Sequence, residues 1–164
     1  MIVPPTDVMG RGRLAGIQDP TGGVVYLWKA YDPDESETYG EPGTLIWTDL
    51  ETRDPQKAAD FFSKLVGWEI RTESQGPTAY WQVGVRGQNE GGIMPMPDMV
   101  PPEAPAFWLD YFGTSDIDAS IARAQELGGT VQVPAMEVEG MMSFAVLSDP
   151  AGATFALMQP LLDM

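Results

Sequence analysis

Hydrophobic and polar residues follow the same succession of patterns twice along the chain. In the first half, residues 44–51 are rich in β-forming side chains and predict a strand. Asp54 and Pro55 then predict the start of a helix, and Gly67 predicts its end. Four apolar residues at helical spacing predict the buried stripe of this helix: Ala58, Phe61, Phe62 and Leu65.

The second half begins in the same way. Residues 107–113 predict a strand, Asp116 predicts a helix cap, and Gly128-Gly129 predicts the end of that helix. Its apolar stripe consists of Ile117, Ile121, Ala124 and Leu127. Three short β-type runs follow each helix, near 68–72, 79–85 and 91–96 in the first half and near 130–133, 142–147 and 153–158 in the second. The predicted order is β-α-β-β-β twice, which is an α+β arrangement.

A repeat relates the start of the chain to its end. Residues 3–30 align without a gap with residues 133–160, and 9 of the 28 positions are identical. The shared Asp-Pro-x-Gly sequence, at Asp19 and at Asp149, is typical of a type I turn between two strands. Residues 1–30 therefore predict the C-terminal β-hairpin of a preceding homologous domain. An isolated hairpin is marginally stable in water, so we expect this one to pair with a sheet edge in its own chain or in a partner, a homodimer included.

The remaining sequence divides by composition. Residues 31–43 are acidic and contain Pro and Gly, which predicts a linker. Residues 44–160 form the complete domain, with its two halves at 44–97 and 105–160 on either side of a Pro-rich stretch.

Charge and composition limit the function. The 164 residues carry 24 acidic and 9 basic side chains, a formal charge of −15, which argues against nucleic acid and anionic membranes as partners. No apolar run reaches the length of a spanning helix, and residues 1–16 have no signal-peptide pattern, so we expect a soluble cytoplasmic protein. The chain has no Cys and no His, which removes thiolate and imidazole chemistry.

The tandem pattern resembles the vicinal oxygen chelate superfamily, which includes glyoxalase I, the bleomycin-resistance proteins and the extradiol dioxygenases. The stretches that carry the resemblance are 47–50, 54–55, 59–62, 65–68, 128–129 and 149–157. The subgroup that it resembles most is the two-domain glyoxalase-like proteins, which repeat this domain in one chain. The resemblance implies tandem βαβββ modules that form one cupped mixed sheet.

The resemblance also implies where a metal would lie. In the metalloenzymes of the superfamily, four inward side chains bind a divalent ion, and the equivalent positions here are Trp47, Leu109, Ala156 and, near the matching place in the first half, Met94. None of these side chains coordinates a hard cation, so we expect no metal, and metal-dependent isomerase or dioxygenase activity is disfavoured. No Gly-rich phosphate loop precedes a helix, so we expect no nucleotide cofactor either.

Strand alternation predicts the inner face of the cup. We expect it to be apolar and rich in Met, and to bind a small organic molecule or simply to fill as core. The predicted ligand-binding residues are Trp47, Met94, Met96, Leu109, Thr154, Ala156 and Met158. Asp49 is the main polar candidate on this face, and Tyr111 occupies the equivalent place in the second half. A buried Asp49 facing a phenol could transfer protons without a metal, and Asp49 with Glu51 is a weaker oxygen-only metal candidate.

Three functions remain open at this point. The preferred hypothesis is a metal-free glyoxalase-like domain that binds a small apolar or aromatic ligand, with bleomycin-resistance-like sequestration of a cation as a special case that the acidic charge would favour. The first alternative is a metal-independent lyase, isomerase or hydroxylase-like enzyme that uses Asp49 and Tyr111. The second is a structural partner domain.

Overall fold

The computed structural model describes residues 1–32, 41–72, 79–138 and 140–161. The strands are β1 Val3–Val8, β2 Gly12–Gln18, β3 Val24–Ala30, β4 Leu45–Thr52, β5 Glu69–Thr72, β6 Trp81–Val85, β7 Gln88–Pro95, β8 Phe107–Gly113, β9 Thr130–Val138, β10 Met142–Ser148 and β11 Thr154–Pro160. The helices are α1 Pro55–Val66 and α2 Ile117–Glu126. From β4 onward the order is β-α-β-β-β twice, as the sequence predicts. No helix within the described ranges is long and apolar enough to cross a membrane.

The chain forms two compact units. The first contains the described parts of Met1–Ser36 and Asp49–Trp108, and the second contains those of Glu37–Thr48 and Leu109–Met164. The predicted linker at 31–43 lies for the most part outside the described residues, so its role stays a prediction.

Both helices begin at the predicted caps. The Lys57 backbone N–H donates to Asp54 Oδ1 at 3.1 Å, and the Ala119 N–H donates to Asp116 Oδ1 at 2.9 Å. Each bond satisfies one of the amides that a helix N-terminus leaves unpaired. Gly67 ends α1 in the left-handed region, with φ 76°, and its N–H bonds to the Ser63 carbonyl.

The predicted apolar stripes are confirmed over most of each helix, but the prediction that their last residues are buried is wrong. Ala58, Phe62 and Ile117 are buried. Leu65 and Leu127, which the spacing places on the buried face, are 44% and 61% exposed. Helical spacing shows which face is apolar, but it does not show how far along the helix the underlying sheet reaches.

The first unit packs α1 against one face of a four-stranded arrangement. The strand order is β5-β6-β7-β4, with β7 and β4 parallel and the other neighbours antiparallel. Leu50 of β4 and Ile93 of β7 are paired and fully buried against the helix. The partly buried side chains of Trp68, Trp81 and Trp108 pack against this core.

The second unit repeats this arrangement with the strand order β8-β11-β10-β9. Strand β11 runs parallel to β8 and antiparallel to β10. The helix side of its sheet carries Ala145 and Leu147, which pack with Ile117 of α2.

The first three strands form a separate antiparallel sheet in the order β1-β2-β3. Strands β2 and β3 lie 130 residues before β10 and β11, so the sequence repeat is also a structural repeat. The Asp-Pro turn is formed in both copies, because Asp19 Oδ1 accepts from Gly23 N–H and Asp149 Oδ1 accepts from Ala153 N–H. The third strand, β1, is an addition to the predicted hairpin.

Within the first unit, this sheet packs against β4 through its β2–β3 turn. Val25 packs against the core of that unit, and a Cβ added to Gly23 would lie 2.9 Å from Leu50 Cδ1. Glycine at position 23 therefore permits the close approach of the turn to β4. Among the described residues the sheet does not extend another sheet by edge pairing.

Candidate functional site

Two carboxylates of β4 lie on the face of the first unit's sheet that points away from α1. Asp49 is paired with Gly92 of β7, and Glu51 is paired with Met94. Leu50, between them, faces the helix, so alternation directs both carboxylates to the opposite face. Asp49 and Glu51 are each only 5% exposed. Burying two like charges this completely costs free energy, so their environment decides their chemistry.

A phenol holds the first of these carboxylates. The Tyr80 hydroxyl donates to Asp49 Oδ1 at 2.7 Å. The ring reaches Asp49 by passing over Gly92, because a Cβ at position 92 would lie 1.9 Å from Tyr80 Oη and 2.5 Å from Asp49 Oδ1. Any side chain at position 92 would therefore displace the phenol, the carboxylate or both.

The second carboxylate has an altered proton affinity. Burial, and then the charge of neighbouring Asp49, raise the pKa of Glu51 to about 7. Glu51 thus exchanges its proton close to neutral pH, whereas an ordinary glutamate is fully charged there. A carboxyl with this pKa can both take and give a proton, which is the property of a general acid–base group.

Polar side chains continue along the same face toward the edge of the sheet. Gln82 of β6 is paired with Gly92, and Arg71 of β5 is paired with Gln82. Directly paired residues share a face, so these two side chains extend the row that begins at Asp49. Met94, which is paired with Glu51, supplies thioether surface on the same face, and Met96, just beyond the end of β7, is buried.

The equivalent face of the second unit is apolar. Tyr111 of β8 is paired with Ala156 of β11, and Met158 of β11 is paired with Phe144 of β10. The Tyr111 and Phe144 ring centroids are 6.3 Å apart in an edge-to-face arrangement. Leu109, Ala156 and Met158 are buried, while Thr154 at the start of β11 is exposed.

The predicted site residues therefore divide between the units. Asp49, Met94 and Met96 belong to the first unit, and the remainder belong to the second: Trp47, Leu109, Tyr111, Thr154, Ala156 and Met158. The joint use of Asp49 and Tyr111 stays a prediction. In the first unit the phenol that donates to Asp49 belongs to Tyr80, which is not among the site residues predicted from the sequence. Trp81, the next residue, packs on the helix side of the sheet. Because side chains alternate along an extended chain, Tyr80 points to the opposite face, where Asp49 lies.

The strand register corrects one predicted equivalence between the two halves of the domain. Asp49 lies five residues before its helix cap, as Tyr111 does, and their partners are Gly92 and Ala156. The first-half counterpart of Ala156 is therefore Gly92 and not a position near Met94. The two-residue turn at Arg86-Gly87 before β7 differs from the Asp-Pro turn before β11, so counting from the turn misplaces the equivalence.

The metal positions implied by the resemblance do not fit a divalent cation. Trp47 offers an indole, Leu109 an isobutyl group and Ala156 a methyl group. The fourth position is Met94 as predicted, or Gly92 by strand register. None of these residues supplies a hard oxygen or nitrogen donor from its side chain. Within the described ranges, no group of three or more Asp, Glu, His or Cys residues is arranged to hold a metal ion. The chemistry of this face has to be explained by Asp49, Glu51 and Tyr80.

Comparison with known proteins identifies the fold family. The model of the glyoxalase-like domain matches residues 46–158. The chain belongs to the glyoxalase-like domain family. This match confirms the predicted superfamily and the predicted α+β fold of tandem βαβββ modules.

Sequence comparison finds relatives in Mycobacterium and Streptomyces. The chain is 35% identical over 160 residues to "Putative glyoxylase CFP32" of Mycobacterium tuberculosis, an alignment that covers 98% of this chain and 60% of that protein. It is 34% identical over 165 residues to the anthracycline biosynthesis protein DnrV of Streptomyces peucetius, with 97% and 57% covered. The chain thus spans about three fifths of the length of these relatives.

Solved structures share the fold at low sequence identity. A Streptomyces coelicolor methylmalonyl-CoA epimerase superposes with a TM-score of 0.57 at 15% identity, covering 74% of this chain and all of that one. A methylmalonyl-CoA epimerase from Mycobacterium tuberculosis gives a TM-score of 0.55 at 15% identity, covering 71% and 87%. At this identity the likeness concerns the fold alone.

Proposed function

We propose that this glyoxalase-like domain binds a small organic molecule, without a metal, against the sheet face that carries Asp49, Glu51 and Tyr80. The observation that carries the proposal is the burial of both carboxylates on a face whose counterpart in the second unit is apolar. The fold does not require carboxylates there, because the equivalent residues Tyr111 and Gly113 form the same strand without them. Charged groups kept in a costly environment are typical of binding and catalytic sites.

The chemistry of the face favours a particular class of ligand. Asp49 is a hydrogen-bond acceptor already oriented by Tyr80, and Glu51 accepts or donates according to pH. A ligand amine or hydroxyl group suits these acceptors, and Met94 and Met96 suit the flat apolar surface of an aromatic ring. The net charge of −15 adds attraction for a cation. The name of the relative DnrV, an anthracycline biosynthesis protein, supports an aromatic ligand.

A second candidate function is metal-free proton transfer on the bound molecule. It is favoured by the different environments of the two carboxylates: one is fixed by a phenol and the other has a pKa of about 7. Such a pair can divide the work between a group that orients the substrate and a group that moves its proton. The form of this alternative that uses Tyr111 as the acid also stays open.

Calorimetric titration with matched probes tests the binding proposal. An aminoanthraquinone supplies the aromatic ring and the amine, and the corresponding anthraquinone sulfonate supplies the same ring with the opposite charge. We expect the amine to bind more tightly, and we expect Asp49→Asn and Glu51→Gln each to weaken its binding by about 10-fold, or about 1.4 kcal/mol. Asp110→Asn is the matched control, because that carboxylate is exposed and accepts from Thr48.

The outcomes separate the two functions. Equal binding of amine and sulfonate, with no effect of either site variant, would show that this face is not the binding site. Deuterium exchange at an acidic C–H of a bound ketone probe, present in the wild type and lost in Glu51→Gln, would establish proton transfer. Exchange that is unchanged in Glu51→Gln would remove that candidate while leaving the binding proposal intact.

A further inference from the structure

A row of paired residues crosses the first unit's sheet on the face that carries Asp49 and Glu51. Asp49 is paired with Gly92 of β7, and Gly92 is paired on its other side with Gln82 of β6. Gln82 is paired in turn with Arg71 of β5. Neighbouring strands are about 4.8 Å apart, so the row runs about 14 Å from its first Cα atom to its last. One end of the row is therefore acidic and the other is basic.

The core of the unit shows which way the far end of this row points. Ile70 and Val83, which adjoin Arg71 and Gln82 in sequence, pack in the core on the α1 side of the sheet. Because side chains alternate along a strand, Arg71 and Gln82 point to the opposite face. The guanidinium and the amide thus border the same side of the sheet as Asp49.

Arg71 is the only basic residue in the four strands of this sheet, all of which lie within the described ranges. Its exposed side chain forms no ion pair or hydrogen bond with a described residue, and this includes Glu69, two residues away on the same face. The half-buried Gln82 amide likewise has no hydrogen-bond partner among the described residues. In a chain with a net charge of −15, such a cation provides a local site that attracts an anionic group.

An aromatic ring lies between the two ends of the row. The Tyr80 ring occupies the space above Gly92, where an added Cβ would be 1.9 Å from Tyr80 Oη. Its side chain is half-buried. A flat surface in the middle of the row favours a ligand with an aromatic ring of its own, because such rings pack in offset stacks. Polar groups at the two ends of that ligand would then meet partners of opposite charge.

We infer that this face selects an aromatic ligand with opposite charges at its two ends, with an amine near Asp49 and Glu51 and a carboxylate near Arg71. The inference rests on the proposed function, which supplies the amine and the ring, and it adds the anionic group and the residue that recognises it. Arginine suits this role because its planar fork of N–H donors matches the two oxygens of a carboxylate. Gln82, between the ends, can bond to a neutral polar group on the ring system.

Calorimetric titration of the 164-residue chain with two probes tests this inference. The first probe is an aminoanthraquinone, and the second is the same compound with a carboxylate at the opposite end of the ring system. In the wild type we expect the carboxylate to tighten binding about 5-fold, a modest gain because Arg71 is exposed and its ion pair is screened by solvent. Arg71→Gln should abolish the gain, and Arg71→Lys should restore part of it. The ratio of the two affinities within each variant removes any general effect of the substitution.

A change of the same charge elsewhere provides the control. Lys64→Gln removes one positive charge from α1, which packs on the other side of the sheet, and should leave the gain intact. Arg71→Glu should reverse the preference, so that a diaminoanthraquinone binds more tightly than the amino-carboxylate probe. Circular dichroism establishes that each variant is folded.

The outcomes separate this inference from the proposed function. Equal binding of the two probes to the wild type, or a gain that Arg71→Gln leaves unchanged, would overturn the inference. The proposed function would stand in that case if the first probe binds and Asp49→Asn weakens it. A gain lost equally in Arg71→Gln and Lys64→Gln would indicate a general charge effect and would also overturn the inference. If neither probe binds, the inference and the proposed function fail together.

Discussion

The βαβββ modules of the two units have the same strand register but different side chains on one face. In the first unit, Asp49 faces Gly92 and Glu51 faces Met94. In the second, Tyr111 faces Ala156 and Gly113 faces Met158. The helix side is apolar in both, with Leu50 and Ile93 in one and Ala145 and Leu147 in the other. The side of each sheet that packs on its helix stabilises the fold, whereas the opposite side is free to vary.

The comparison shows that only the first unit has carboxylates buried at these two positions, where their burial costs free energy. The second unit folds with a phenol and a glycine where the first has Asp49 and Glu51, so burial of these acids is not a structural necessity. The largest expected effects therefore come from changes to the packing and charge of Asp49, Glu51, Tyr80 and Gly92.

Gly92→Ala should have the largest effect on stability. The added Cβ would overlap Tyr80 Oη and Asp49 Oδ1, and overpacking a filled site costs about 3 kcal/mol. Urea denaturation would measure the loss. Combining it with Tyr80→Ala should cost less than the sum of the two, because removal of the ring makes room for the methyl group. A loss near 1 kcal/mol for Gly92→Ala alone would mean that the phenol simply swings away.

Glu51→Gln should remove a pH dependence from the stability of the first unit. The pKa of Glu51 is about 7 in the folded chain and its ordinary value is 4.5, so the folded state holds the proton more tightly than the unfolded state. Stability from this group is present below about pH 4.5 and is lost as the pH rises to about 7. With allowance for solvent screening we expect a difference of about 2 kcal/mol between pH 4 and pH 8.

The measurement is urea denaturation of the wild type and of Glu51→Gln at both pH values. The variant should gain stability over the wild type at pH 8 and not at pH 4. Glu69→Gln is the matched control, since Glu69 is an exposed carboxylate on β5 of the same sheet. A gain at pH 8 that is equal in both variants would point to general charge repulsion instead of burial of Glu51.

Tyr80→Phe should cost about 1 to 2 kcal/mol, because it deprives buried Asp49 of the phenol that donates to it. Thermal or urea unfolding measures this loss. Tyr26→Phe removes a hydroxyl from an exposed tyrosine and should cost much less. Equal losses in the two variants would show that the Tyr80–Asp49 bond does not stabilise the first unit.

The helix caps should give the smallest difference between the units. Asp54→Ala and Asp116→Ala each remove one side-chain bond to a backbone amide at a helix N-terminus, so each should cost about 1 kcal/mol. Stability measured for both variants should fall by similar amounts. A much larger loss for one of them would show that its aspartate supports more than the cap.

Local rules in the sequence account for much of this structure. Asp54, Pro55, Gly67 and Asp116 define helix ends through bonds to neighbouring residues, so a single sequence predicts them. The repeat at 130 residues predicts the turns at Asp19 and Asp149 for the same reason. The exposed ends of the two stripes, Leu65 and Leu127, could not be foreseen, since exposure depends on a sheet that is distant in sequence.

The candidate site was predictable only in part. Asp49 and Glu51 followed from alternation along β4, which is local. Tyr80 and Gly92 did not, because their roles depend on register between strands that are far apart in the chain, and the turn before β7 gives no motif from which to count. The raised pKa of Glu51 likewise requires burial and a neighbouring charge.

By itself the sequence determined the order of the elements, the family, the caps and turns, and the apolar character of the four positions where a metal would be expected. These properties depend on residue type and short-range spacing. Only the tertiary structure decided that a phenol passes over a glycine to reach Asp49, and that burial and a neighbouring carboxylate raise the pKa of Glu51 to about 7. Each of these depends on which distant strands become neighbours, and on how much water is excluded when they do.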